Sequence, residues 1–149
     1  MSERLKVLII APSLLPVPAV KGGAVETLVN LLIDQNEIEN RLDLTVISVY
    51  DKDALAKSKI YKHTKFLWIR TNSLKKVLYN RLNYHLICPL FHRPFINYWQ
   101  KEVIRMAQKC KYDKIVLEDN IDFVNILGSR IERLYSHIHV VWDFKPDTF

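Results

Sequence analysis

Acids, amides and glycines stand where apolar runs of this sequence stop, and those are the positions that could do chemistry. Glu118, Asp119 and Asn120 follow the run Lys114-Ile115-Val116-Leu117, and Asp143 closes the run from His137 to Trp142. A carboxylate at the end of a strand can take a proton from a hydroxyl group or simply hydrogen-bond it. Asp119 and Asn120 are equally good caps for a following helix, which leaves Glu118 the better site candidate of the three, with Asp143 a weaker case. The second place is Lys21-Gly22-Gly23, with Glu26 three residues on, at the end of a loop holding Pro12, Pro16 and Pro18. Glycine reaches φ > 0 and admits another group close to the main chain, while the free N–H groups of a helix start attract anions. Together they form a candidate cradle for a phosphate or a sugar. Read alone, the glycine pair is also what a proline-stiffened loop needs to turn into its helix. Neither the G-x-G-x-x-G nor the G-x-x-x-x-G-K-[ST] fingerprint is present.

The histidines and cysteines add little. His137 and His139 alternate along a strand and share a face, but no third ligand is spaced near them, so they are expected to be ordinary strand residues and no metal is expected. Cys88 and Cys110 have neither metal-ligand spacing nor the number that marks a disulfide framework.

The elements that must position these residues alternate. Leu5 to Ala11 is nearly continuous in apolar side chains, which suits a parallel strand covered on both faces. A helix follows the glycine pair, with Val25, Leu28, Val29 and Leu32 at i, i+3, i+4 and i+7 along one face. Leu42 to Tyr50 is a second strand, 51–64 a polar excursion, and Lys65 to Arg70 a third strand. Thr71-Asn72-Ser73 opens a basic amphipathic helix on Leu74, Val77, Leu78 and Leu82, which Cys88-Pro89 is expected to stop. A further helix carries Ile96, Trp99, Val103, Met106, Ala107 and Cys110 on one stripe. Strand 114–118, a helical stretch near 121–135 and a last strand from His137 to Asp143 complete the order. The expectation is one α/β domain over 1–149, a Rossmann-like open and mostly parallel sheet with helices on both faces. Strand ends at the Pro12–Gly23 loop, Tyr50-Asp51, Arg70-Thr71, Glu118-Asp119-Asn120 and Asp143 should then face one crevice.

Composition narrows the class. The 149 residues are 49% hydrophobic and 26% charged, with no apolar run near the ~18 residues that span a bilayer and no secretory leader at Met1-Ser2-Glu3-Arg4. A soluble, cytoplasmic protein is expected. The net charge of +6 is unevenly spread: residues 52–111 hold 14 of the 22 Lys and Arg but two of the 16 acids, Asp53 and Glu102. That asymmetry points to an anionic partner. Cations Lys75, Lys76, Arg81 and Arg93 interleaved with Tyr79, Tyr84, Phe91 and Phe95 form a candidate patch for an anionic membrane surface at its inner face, against the plainer reading of a solvated basic face. No nucleic-acid-binding motif is present, which disfavours that partner.

The run KVLIIAPSLLPVPAVKGGAVETLVNLLID followed by LDLTVISVYD resembles the opening of the N-terminal, acceptor-side domain of family-4-type GT-B glycosyltransferases. The pattern is a first strand, a proline-containing loop closing in Gly-Gly, an acid a few positions on, and a second strand; Gly22, Gly23 and Glu26 match it. The resemblance implies transfer of a sugar from a nucleotide-sugar donor to a glycan or lipid-linked acceptor, as in cell-surface polysaccharide synthesis. It also implies that the donor is held by a second, C-terminal Rossmann-like domain or subunit, so that this domain alone binds no cofactor and transfers no sugar. The family's fourth strand often ends in a D-x-x-H-x-H-like pattern. Here Asp113 is followed by Val116 and Glu118 at the histidine places, so Glu118 and Asp119 stand as catalytic candidates by position. Lys21, Gly22, Gly23, Glu26, Asn120 and Asp143 stand as candidates for donor-phosphate or acceptor binding. The alternative class is a non-catalytic, basic Rossmann-like module that docks on anionic membrane or nucleic acid.

Overall fold

Side chains of a strand alternate between the two sides of its sheet, and strand β1 (Leu5–Ile10) is apolar on both. Leu8 and Ile10 enter one core with Ile47, Val49, Ile69, Ile115 and Leu117, while Val7 and Ile9 enter a second with Leu44 and Val46. The structure, a computed structural model, describes residues 4–92, 94–131 and 133–137. Among the described residues five strands form one sheet in the order β3-β2-β1-β4-β5, with β2 at Leu42–Val49, β3 at Thr64–Ile69, β4 at Lys114–Glu118 and β5 at Leu134–His137. Every pairing is parallel, and β1 is paired on both sides: Ile10 lies opposite Ile47 of β2 and Leu117 of β4. Parallel neighbours cannot be joined by a tight turn, so helices cross over both faces. The expected Rossmann-like α/β fold is the one observed.

Helix α1 (Ala24–Glu39) covers one face with Val29 and Ile33. Helices α5 (Tyr98–Ala107) and α6 (Ile121–Gly128) cover the other with Trp99, Val103, Ala107, Phe123 and Leu127. Strand order reverses at β1, and the crevice between the carboxyl ends of β1 and β4 is the switch point where such sheets take ligands.

The rotation of α1 differs from the one its leucines predict. Val25 and Val29 face inward as expected, but Leu28 and Leu32 are 47% and 45% exposed, and Glu26, Asn30, Ile33 and Asn36 are buried instead. Polar anchoring explains the turn of the helix. Asn36 exchanges hydrogen bonds with the Leu42 backbone, accepting its N–H at 2.9 Å and donating to its carbonyl at 3.3 Å. Glu37 accepts from the Lys62 and His63 N–H groups and from the Thr64 hydroxyl, tying α1 to the start of β3. Burial pushes the Glu37 carboxyl up, but these hydrogen bonds outweigh it and hold the group below the usual carboxylate range. Leaving one such buried group unsatisfied costs about 1–3 kcal/mol, comparable with burying a leucine, so several together decide which face turns in.

Two further departures are local. The polar excursion after β2 contains a short helix, α2 (Lys52–Ser58), capped by Asp51 through the N–H groups of Asp53 and Ala54. The helix after β3 is not stopped at Cys88-Pro89: α3 (Leu74–Leu82) passes through a π-helical turn, Asn83–Ile87, into α4 (Cys88–Phe91) and ends at His92 in the left-handed region. A proline inside an α-helix clashes with the carbonyl four residues back. Here the turn before it is widened, with the Cys88 N–H reaching the Asn83 carbonyl, so Pro89 sits in the first turn of a new helical segment where it is tolerated. The predicted last strand begins earlier, at Leu134, and residues 138–143 lie outside the described residues. Cys110, placed on the buried stripe of α5 by its spacing, is exposed beyond the end of that helix.

Ile33→Ala is expected to cost about 2–5 kcal/mol, because it opens a cavity against a 0% exposed site, while Leu32→Ala costs about 0.5 kcal/mol or less. Chemical denaturation of both variants checks this, and equal losses would show that α1 packs on the face its leucines predict.

Candidate functional site

The loop from Ala11 to Gly23 is fixed at three points. The Val17 N–H donates to the buried Ser48 hydroxyl at 2.8 Å, the Ala19 N–H to Asn30 Oδ1 at 3.2 Å, and Lys21 Nζ meets Asp51 Oδ2 at 2.6 Å. Pro12, Pro16 and Pro18 are buried beneath it. Lys21 is thus engaged with the end of β2. Its ammonium, hydrogen-bonded to Asp51, holds that carboxyl below the usual carboxylate range with help from the Ala54 N–H, and the same contact raises Lys21 above the ordinary lysine value. The signs are opposite in pH. The stabilisation read on Asp51 is complete above the unfolded carboxylate pKa and is lost as pH falls through the lowered one. That read on Lys21 is complete below the unfolded lysine pKa and is lost as pH rises through the raised one. The anchor therefore stands throughout the neutral range.

Gly22 and Gly23 both have positive φ, 77° and 94°, so the loop needs glycine at both for backbone reasons. Their surroundings differ. A Cβ on Gly22 would meet nothing within 4 Å, whereas one on Gly23 would lie 2.0 Å from Glu26 Oε2 and 2.9 Å from Leu15 Cδ1. The space against Gly23 is filled by the protein's own Glu26, which is 5% exposed and has no hydrogen-bond or ion-pair partner among the described residues. A carboxylate in the first turn of α1 already complements the helix N-terminus. It would repel a phosphate brought to the same N–H groups, and it is an acceptor with open lone pairs. The cradle suits a hydroxyl-bearing ligand approaching over Gly22 better than an anion.

Beside it, at the carboxyl end of β4, Glu118 is buried and lies 3.0 Å from His137 Nδ1 on β5, its register partner. The contact joins a carboxylate at the end of β4 to an imidazole ring that is 59% exposed at the end of β5. Asp119 has φ +46°, is exposed, and donates its N–H to the His137 carbonyl at 2.8 Å. Asn120 occupies the N-cap of α6 without a side-chain capping bond, so neither it nor Asp119 is used as a cap in the way their types suggest. His137, read from the sequence as an ordinary strand residue, is the one this geometry adds. The signal that finds it is the β4–β5 register, which a single sequence does not carry. Of the remaining candidates, Lys75, Lys76 and Arg81 lie on α3, and Arg93 and Asp143 lie outside the described residues.

A separate cavity of about 570 Å³ opens at the amino ends of the strands, lined by Lys6, Lys65, Arg105, Lys109 and Lys111 over Leu67 and Tyr112. It lies at the opposite edge of the sheet from the switch point, with Lys65 3.7 Å from Asp43 and Arg105 bonded to Glu102. Among the described residues no group of His, Cys, Asp and Glu could hold a metal ion. Comparison of the chain with known proteins gives no match among family models, curated proteins or solved structures.

Two outcomes follow from this geometry. Gly23→Ala is expected to lose more stability than Gly22→Ala, because both lose about 1–2 kcal/mol for a positive φ and only the former must also displace the side-chain ends of Glu26 and Leu15. Thermal melts of the pair check it, and equal losses would mean that Glu26 does not fold over Gly23. In an NMR titration, Lys21→Met should move the Asp51 carboxyl midpoint upward, and an unmoved midpoint would show that the loop anchor does not form in solution.

Proposed function

We propose that this domain is the acceptor-side half of a GT-B glycosyltransferase, binding a hydroxyl-rich glycan or lipid-linked acceptor at the β1/β4 crevice. The observation that carries the reading is Glu26, a residue 5% exposed whose carboxylate has no partner among the described residues and lies against Gly23 at the mouth of the crevice. A carboxylate with unused acceptor positions in a crevice can take hydrogen bonds from sugar hydroxyls, which are donors. The doubly wound sheet and the positive-φ glycine pair after its central strand accord with the resemblance in the first fifty residues.

In this reading the acceptor hydroxyl lies over Gly22, hydrogen-bonded by Glu26. The Glu118–His137 pair takes the hydroxyl proton as the oxygen bonds to the anomeric carbon of the donor sugar, and the sugar–diphosphate bond breaks with its electron pair leaving on the diphosphate. Within the pair Glu118, 3.0 Å from His137 Nδ1, holds the ring in place and offsets positive charge on it. The nucleotide-sugar donor belongs to a second α/β unit, in keeping with a local charge here that is acidic and not phosphate-binding. A reading without catalysis, as a basic module on an anionic surface, leaves Glu26 and the Glu118–His137 pair without a task.

The test is an NMR titration of the chain with neutral oligosaccharides and, separately, with inorganic phosphate. Saccharide should shift the Gly22, Glu26 and His137 signals, and Gly22→Val should weaken that binding at least tenfold. Shifts with phosphate alone, or saccharide shifts confined to other surfaces, would overturn the reading.

A further inference from the structure

Helix α3 is mounted with its polar side inward. Asn80 Oδ1 accepts the Tyr98 N–H at 2.7 Å, and the buried Asn83 of the π-helical turn donates to the Ile96 carbonyl at 2.6 Å. The Tyr79 ring packs edge-on against Tyr98, 6.0 Å between centroids. These contacts fix which side meets the body. The opposite side carries Leu74, Val77, Leu78 and Leu82, all exposed, with Leu74 at 89% and Leu78 at 69%, and Leu86 and Leu90 continue the exposed strip beyond it. An amphipathic helix on a globular domain ordinarily does the reverse, and a contiguous exposed apolar strip marks an interaction surface.

Charge decides the occupant. Lys75 and Arg81 are exposed on the same helix, Lys101 sits 4.4 Å from the Tyr79 ring, and no acid occurs between Asp53 and Glu102. A second copy of the chain, related by a two-fold axis, would bring these cations against their own counterparts. Nucleic acid would satisfy the cations but leave the leucines against a polar partner. An anionic bilayer satisfies both at once, with apolar side chains at the acyl boundary and cations among the headgroups. Among the described residues no helix is long and apolar enough to cross a membrane, so α3 would lie in the interface plane.

We propose that α3 and the turn after it form a docking surface for anionic lipid, a property separate from sugar transfer. The test is co-sedimentation of the chain with vesicles of phosphatidylcholine containing about a quarter phosphatidylserine, against phosphatidylcholine alone. Binding is expected to the anionic vesicles only, falling as salt rises, and falling by about fivefold for each cation removed in Lys75→Gln and Arg81→Gln. Leu78→Asp should abolish it without lowering the melting temperature, because that side chain faces solvent. Equal binding to neutral vesicles, absence of binding to both, or retention by Leu78→Asp would overturn the proposal. So would a dimer in sedimentation velocity that Leu78→Asp dissolves, or tighter binding to an RNA oligonucleotide than to the vesicles. None of these readouts involves a saccharide, so they stand or fall apart from the glycosyltransferase reading.

Discussion

The double pairing of β1 is the constraint on which the rest of the structure depends. With β2 on one side and β4 on the other, both in parallel register, Val7 to Ile10 have no solvent face and no edge. A strand so placed needs apolar residues at consecutive positions, and each neighbour must be reached by a crossover. The crossovers leave in opposite directions from the centre of the sheet, and so the loops after β1 and β4 flank one crevice. The position of Gly22, Gly23 and Glu26 against that of Glu118 follows from this topology.

The helices are oriented by amides and carboxylates as much as by hydrophobic stripes. Asn36, Glu37 and Asn30 fix α1, while Asn80 and Asn83 fix α3, each through hydrogen bonds to backbone groups of a neighbouring element. Such bonds are directional, whereas apolar contact is not, so a few of them select a rotation that burial alone leaves nearly degenerate. This is why the order of strands and helices was legible in the sequence and the inward face of α1 was not. Leu28 and Leu32 have the right spacing, and no local signal says that Asn36 will reach the backbone of Leu42. Pro89 was misleading for a related reason: its helix-breaking chemistry is real, but a π-helical turn absorbs it.

The candidate site divides along the same line. Glu118 was visible because strand ends in an open parallel sheet are chemical positions whatever their neighbours. Gly22 and Gly23 were visible because two of the chain's three glycines stand side by side before a helix. Partnerships were not visible. That Glu26 folds back over Gly23 and that Glu118 meets His137 depend on side-chain packing and on a strand register, both long-range properties. A glycine needed by a neighbouring carboxylate and one needed by a ligand look alike in sequence, and here Gly23 is the first kind while Gly22 has open space.

The proposed lipid surface and the proposed acceptor crevice lie at one edge of the sheet. Four residues separate the carboxyl end of β3 from helix α3, whose polar side is bonded to Ile96 and Tyr98 at the start of α5. From there α5 leads to the amino end of β4, so its own start belongs to the opposite, carboxyl edge, where the crevice opens. A bilayer against the outward leucines of α3 would thus be on the crevice side of the molecule and away from the basic cavity at the amino edge. The charges would then have a division of labour, with cations on α3 facing headgroup phosphates and the crevice left to hydroxyls. An acceptor anchored in lipid would present a hydroxyl-rich head above an anionic surface, and a domain with these two surfaces on one edge can address both parts without either set of charges opposing the other.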